Sequence, residues 1–231
     1  YGELAARAAA LPVPSQVELK PPEKFRLLGT ALPRLDIPDK ILGRAIFGID
    51  VAIEGMLHAA PAFSPVHGGA LVSGDREAAR AIRGVHALVE IPNGVAVVAD
   101  HYWQARKALE ALAPVFSGGE RVIDTPEYSR RLGEALDTPG LVAGAIGDAE
   151  AVFAIASRVV EARYEVPYLA HATMEPMNCT ARARAGSCEI WTPTQAPLQS
   201  RRDVGRALDI DPENVTVHPT LMGGGFGRRA E

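Results

Sequence analysis

Cysteine is nearly missing from this sequence, with two residues in 231, and neither Cys179 nor Cys188 belongs to a Cys-x-x-Cys pair. That excludes a disulfide framework and the usual zinc and dithiol spacings, leaving buried small hydrophobes or a single bridge or ligand pair. Positive charge is not in excess either. The 24 Lys plus Arg face 28 Asp plus Glu, a formal net charge of −4, so a nucleic-acid backbone is not the expected partner. No apolar run approaches the roughly 18 residues of a membrane span, and no basic-then-apolar leader opens the chain. The expectation is a soluble, globular protein. The chain starts at Tyr1 without an initiator Met and stops just after "GRRA", so it reads as a piece of a longer polypeptide.

What is present is organised. Residues 11–39 carry six prolines and little periodicity, which predicts an extended connector. In "AIFGIDVAIEGMLHAAPAF", two β-type runs flank Glu54-Gly55 and predict a hairpin. Asp75 is placed to cap a helix that stops at Gly84. "VHALVEI" and "GVAVVAD" read as strands. From Tyr102, the positions Ala105, Ala108, Leu109 and Leu112 mark an amphipathic helix, with Trp103 expected in its core. Residues 117–147 hold two Gly/Pro-marked breaks around one possible helix, and a domain boundary is expected there.

A second unit opens at Asp148, the predicted cap of a short helix. "SRVVEARYEVP" alternates strictly, with Val160, Ala162, Tyr164 and Val166 on one face, and predicts a half-exposed strand. "SCEIWT", "SRRDVGRALDI" and "NVTVHPT" follow in β–α–β order, and a glycine cluster comes directly after the last strand.

Three stretches could carry chemistry. "GGGFG", residues 223–227, is neither a P-loop nor a dinucleotide fingerprint, yet glycine is costly to order and so many together need a reason. A tight turn is one. A cradle of backbone amides for an anionic or oxo ligand, flanked by Arg228 and Arg229, is the other. In "YLAHATMEPMNCTA", His171 and Glu175 stand four apart, as a metal or acid/base pair would in a helix, although Pro176 argues against a continuous helix. Structural hydrogen bonds are the alternative, with Met174 and Met177 as packing. "WTPTQAP" offers the Gln195 amide near a strand end, as a ligand contact or simply a surface loop.

In this order and at these intervals, "AHATMEPMNCTA", "WTPTQAP" and "GGGFGRR" resemble the molybdenum-binding subunit of the xanthine dehydrogenase family. More narrowly they resemble its isoquinoline 1-oxidoreductase branch, the β-subunits often described as membrane-bound or periplasmic aldehyde dehydrogenase. "PSQVELKPPEKFRLLG", "RLDIPDKILGRAIFGIDV" and "GVHALVEIPNGVAVVADHYWQARKAL" resemble the preceding hammerhead region and its lead-in. The resemblance implies an α+β fold: an extended lead-in at 1–39, an α/β hammerhead-like domain at 40–120, a linker at 121–147, and at 148–231 the first part of a molybdopterin-binding domain with mixed sheet and helices. It implies hydroxylation of an aldehyde or N-heterocycle with water-derived oxygen, by molybdopterin cytosine dinucleotide.

By motif position, Gln195 matches the catalytic glutamine that donates toward the metal's oxo ligand. Gly224, Gly225, Phe226, Gly227 and Arg228 match the cofactor-binding loop. The implied partners are a small 2Fe-2S subunit, the remainder of the large subunit, and a downstream electron acceptor such as a cytochrome c. Purine-oxidising members carry "GGGFGGKE"; here Ala230 stands at the acidic position and Arg228 replaces a glycine, so purine specificity is not implied. The family's catalytic glutamate belongs far toward the C-terminus of the full subunit, and Glu231 does not replace it. The chain alone is therefore expected to be inactive and to hold cofactor weakly or not at all. The periplasm is the implied compartment, with the cytoplasm as alternative. The rival readings are a non-catalytic scaffold that keeps the fold and a phosphate or nucleotide binder built on "GGGFGRR".

Overall fold

A computed structural model describes residues 2–118 and 124–230. The expected boundary at 120/121 and the position of Glu231 lie outside the described residues. Two compact units are present, Tyr1–Ile46 and Phe47–Glu231. In the first, helix α1 (Gly2–Ala9) precedes the proline-rich stretch, which contains only a single helical turn at Pro22–Lys24 before helix α2 (Ile37–Ile41). No described residue of this unit is buried, in keeping with a connector that builds no core. Asp36, just before α2, accepts from both Arg34 and Lys40 (2.6 and 2.5 Å), and these hydrogen bonds hold its carboxyl well below the usual range.

The second unit begins with strands β1 (His58–Phe63) and β2 (Leu71–Ser73), helix α3 (Arg76–Arg80), strands β3 (Val85–Ile91) and β4 (Gly94–Ala99), helix α4 (Tyr102–Leu112) and strand β5 (Val115–Phe116). β3 and β4 form a hairpin, β1 pairs antiparallel on the other edge of β4, and β2 pairs with β5. α4 lays Ala105, Ala108 and Leu112 against Ala60, Val95, Val97 and Ala99, a core built largely of alanine because helix and sheet approach closely. Asp75 caps α3 as expected, its carboxylate accepting from Ala78 N–H at 2.9 Å. Gly84, with φ +86°, then reverses the chain into β3. Trp103 differs from expectation. It is 63% exposed, since it lies off the Ala105–Ala108–Leu112 stripe, and the Lys107 ammonium sits 5.4 Å from its ring centre.

The hairpin expected around Glu54-Gly55 does not form. Gly55 does turn, with φ +73°, but only His58–Phe63 is a strand; the run before it is a 3-10 turn at Gly48–Asp50, closed by Phe47 N–H donating to the Asp50 carboxylate at 3.0 Å.

Further along come α5 (Thr125–Ala135) and α6 (Ala149–Ile155), the latter capped by Asp148 as expected, then β6 (Thr180–Arg184), β7 (Ser187–Thr192), α7 (Pro197–Leu208) and β8 (Val215–Pro219). β6 and β7 are antiparallel, and β8 joins β7 in parallel through α7, which is the expected β–α–β order. Cys188, Ile190 and Val215 form the core beneath α7, with Val204, Ile210 and Val217 packed around it. Cys188 is buried and Cys179 exposed, with no bridge between them. The strand expected in "SRVVEARYEVP" is absent, because no described residue supplies a ladder for residues 157–167. Its apolar face stays open, with Val160 at 77% and Tyr164 at 89% exposure. Met174 and Met177 are likewise exposed rather than packed. The fold is α+β, and no described helix is long and apolar enough to cross a membrane.

Candidate functional site

A parallel strand pair leaves its carboxyl ends side by side, and loops leaving those ends are where α/β-type sheets gather ligands. β7 ends at Thr192 and runs into Pro193-Thr194-Gln195; β8 ends at Pro219 and runs into the glycine cluster. The structure brings the two loops together. Gln195 N–H donates to Arg229 O at 2.9 Å, Thr194 Oγ1 donates to the same carbonyl at 3.3 Å, and Gly227 N–H donates to Gln195 Oε1 at 3.0 Å. Because a backbone N–H faces Oε1, the orientation of the amide is settled, and Nε2 is the free end. It has no acceptor among the described residues.

The glycines are needed here for two reasons. At Gly225 a Cβ would lie 2.6 Å from Gln195 Oε1 and 2.9 Å from the Met222 sulfur, so the loop can pass Gln195 only without one. At Gly224 and Gly227 the backbone is left-handed, with φ +102° and +93°, a region side chains rarely tolerate. Phe226 adopts φ +54° with a side chain and stays 71% exposed. Backbone held this way costs on the order of 1–3 kcal/mol and collects at functional positions. The predicted pair of arginines divides as its adjacency implies: Arg228 is exposed while Arg229 is buried at 3% exposure.

Sequence reasoning missed what secures the loop. Glu175, 7% exposed, lies next to Arg229, with Arg229 Nη2 3.2 Å from Glu175 Oε2. Glu175 Oε1 accepts from Ile49 N–H at 3.0 Å and from Asn178 Nδ2 at 2.9 Å; Oε2 accepts from Gly223 N–H at 2.8 Å. Arg229 Nε donates to Gly224 O at 2.8 Å and Nη2 to Glu175 O at 2.7 Å. Glu175 N–H closes a further bond to Gly223 O at 3.0 Å. Burial opposes ionisation of Glu175, but hydrogen bonds from Gly223, Asn178 and Ile49 and the Arg229 charge outweigh it and hold the carboxyl below the ordinary range.

The metal or acid/base pairing of His171 with Glu175 is therefore not realised. Glu175 is committed to the Ile49 and Gly223 amides, Asn178 and Arg229, His171 is exposed, and no group of three potential ligands exists among the described residues. The signal for the real role was Glu175-Pro176 in a non-helical stretch, a carboxylate with no helix to sit on. The 3-10 turn at Gly48–Asp50 joins the same assembly: a Cβ on Gly48 would overlap Pro193 and come within 2.5 Å of Asn178 Oδ1, and Phe47 bridges Leu221 in parallel.

What remains on offer is a set of donors. The amides of Gly224, Gly225 and Phe226 meet no acceptor among the described residues, nor does Gln195 Nε2. Beside Gly227 nothing comes nearer than 3.8 Å to where a Cβ would stand, and that neighbour is His171 Nε2. Successive unpaired amides, two of them on glycines, suit an anionic or oxo-bearing group. The donor set thus fits an oxo-metal, phosphate-bearing cofactor.

Residues 136–231 match the Molybdopterin cofactor-binding domain family. The chain is 33% identical over 234 residues to the beta subunit of isoquinoline 1-oxidoreductase from Brevundimonas diminuta, covering 96% of this chain and 30% of that protein. It is 29% identical over 245 residues to the xanthine dehydrogenase molybdenum-binding subunit of Escherichia coli O157:H7, covering 86% of this chain and 32% of the relative. It therefore spans less than a third of the length of each of these curated relatives. Among solved structures, quinoline 2-oxidoreductase from Pseudomonas putida 86 superposes with a TM-score of 0.64 at 22% identity, over 87% of this chain and 31% of that one, a likeness of fold. Residues 136–231, which include the glycine loop and Gln195, thus match the Molybdopterin cofactor-binding domain family, and the chain as a whole is similar to part of the molybdenum-binding subunits of the xanthine dehydrogenase family.

Proposed function

We propose that this chain supplies part of the cofactor site of a molybdenum hydroxylase that oxidises an aldehyde or an N-heterocycle, with water as the oxygen source. The observation that carries the reading is the row of amides at Gly224–Phe226 without acceptors among the described residues, on the loop whose Gly227 N–H binds Gln195 Oε1 and leaves Nε2 free. When bound, the molybdenum cofactor supplies the two-electron oxidation and the oxygen transfer. The protein's part is orientation and electrostatics. Gly224, Gly225 and Phe226 N–H would hold the anionic group, Gly227 leaves room for its approach, and Gln195 Nε2 would donate to an oxo oxygen. These donors are fixed before the ligand arrives, so no reorganisation is needed when charge develops. Phe226, exposed on the same loop, offers an aromatic wall, and Arg228 adds positive charge at the rim.

The finer reading follows the family resemblance. The cofactor is the cytosine dinucleotide form, residues 40–120 form the hammerhead-like domain, and electrons pass through a small 2Fe-2S subunit to an acceptor such as a cytochrome c. The compartment is the periplasm. Isolating the full-length protein with its partners, then assaying molybdenum and the nucleotide released on acid hydrolysis, tests the proposal. Molybdenum with stoichiometric CMP is the expected result. Folded protein from a cofactor-competent host that yields neither would replace the enzyme reading with a scaffold that keeps the fold.

A further inference from the structure

Glu175 and Arg229 are the two charged residues buried among the described ones, and a buried ion pair needs a reason. Desolvation commonly cancels the Coulombic gain, and an apolar pair of similar volume is often as stable. What such a pair can provide is geometric specification. Here its hydrogen bonds converge on one target. Glu175 takes the Gly223 amide, Arg229 takes the Gly224 carbonyl, and the Arg229 carbonyl receives Gln195 N–H. The Ile49 amide and Asn178 anchor the carboxylate from behind. On the far side Gln195 Oε1 takes the Gly227 amide. The loop is gripped at both ends, and the three amides between the grips are left without acceptors.

We infer that Glu175 and Arg229 are positioning residues for the proposed cofactor: the pair fixes the entry to the glycine loop so that the Gly224, Gly225 and Phe226 amides stay turned away from protein acceptors and available to the ligand. The inference rests on the proposed cofactor reading, but the mechanism acts through Gly223 and Gly224 rather than by contact with the ligand. Arg229 cannot serve as a phosphate ligand through Nε or Nη2, which are engaged with backbone carbonyls.

Full-length protein carrying Glu175→Gln, Arg229→Met or Arg229→Lys tests this by amide hydrogen exchange at pH 7 and by molybdenum and CMP content. Glu175→Gln keeps the shape but turns an NH2 toward groups that are themselves donors. Exchange of the Gly223 and Gly227 amides, the two of the loop that are hydrogen-bonded, should rise roughly tenfold to a hundredfold, as loss of a buried charged acceptor implies, while amides of β7 and β8 stay within about twofold of wild type. Molybdenum and CMP should fall together, and Arg229→Lys, which keeps the charge without the fork, should recover part of both losses seen in Arg229→Met. Loop exchange that is unchanged, or that rises in step with the sheet, overturns the inference, since a general brace would loosen everything. Wild-type protein without molybdenum or nucleotide refutes the cofactor reading instead; the exchange result alone still decides whether the pair positions the loop.

Discussion

Replacing Gly223 by Ala isolates sterics from conformation, because Gly223 does not sit at positive φ. A Cβ there would overlap the Glu175 Cβ and lie 3.2 Å from Glu175 N and 3.3 Å from its Oε2. Carbon atoms pack at about 3.5–4.0 Å, so the two segments must part by more than about 1 Å. Neither can yield freely. Gly223 N–H is bound to the Glu175 carboxylate at 2.8 Å, and Glu175 N–H to Gly223 O at 3.0 Å. Overpacking costs about 1–3 kcal/mol. Breaking a neutral bond adds about 0.5–1.5 kcal/mol and a bond to a charged acceptor about 1.5–3 kcal/mol, less the roughly 0.4–1 kcal/mol that alanine gains through the unfolded state. The net is a local destabilisation of about 2–7 kcal/mol. Gly227→Ala is the comparison: its Cβ would make only an ordinary van der Waals contact, the nearest atom being 3.8 Å away, and only the φ of +93° penalises it, by about 1–2 kcal/mol. Opening free energies for the 171–178 and 221–230 segments, from native-state exchange, should rank Gly223→Ala well below Gly227→Ala. A Gly223→Ala protein within about 1 kcal/mol of wild type would show that the Glu175–Gly223 junction is not what holds the loop.

Gln195→Ala in the full-length enzyme removes one preorganised donor as well as the acceptor for Gly227 N–H and should lower kcat per bound molybdenum about a hundredfold; undiminished turnover per molybdenum would take Gln195 out of the reaction. Glu175 titrates below its ordinary value of 4.5 when folded, so its stabilisation is complete above that value and is lost as pH falls through the depressed folded one. Exchange of the Gly223 amide, which donates to the Glu175 carboxylate, corrected for intrinsic rates, should accordingly be flat from about pH 5.5 to 7.5 and climb as the pH falls below 4.5; acceleration on the alkaline side would contradict the sign. Ile190→Ala, at a position 2% exposed in the β7–β8 core, should cost about 2–5 kcal/mol and be read as lost protection throughout β6–β8 rather than in the loop alone.

Periodicity located most of the elements that carry their own signal. β3, β4, α4 and the β7–α7–β8 unit stand where alternation, capping residues and helical spacing put them. The failures share one cause. "AIFGIDV" has the composition of a strand, but Gly48 is drawn against Pro193 and Asn178, neighbours more than 100 positions away. "SRVVEARYEVP" has a strand's alternation, yet alternation specifies a face and not a ladder. At the site, Gln195 and the glycines stood out because unusual residue types in a row mark unusual backbone. Glu175 stood out for the wrong partner: its spacing from His171 suggested an acid/base or metal pair, whereas its true neighbours, Ile49, Gly223 and Arg229, share no local pattern with it.

The bond from Ile49 to Glu175 spans 126 residues, and this has a consequence for the order of events on the ribosome. At about 5–20 residues per second, roughly 6–25 s separate the synthesis of its two ends. The alanine-packed sheet of β1, β3 and β4 can fold in that interval, whereas the cradle must wait until Arg229 has emerged. Cofactor loading is thereby placed after translation of this segment, and the turn at Gly48–Asp50, made early, serves as a docking point for chain that arrives late.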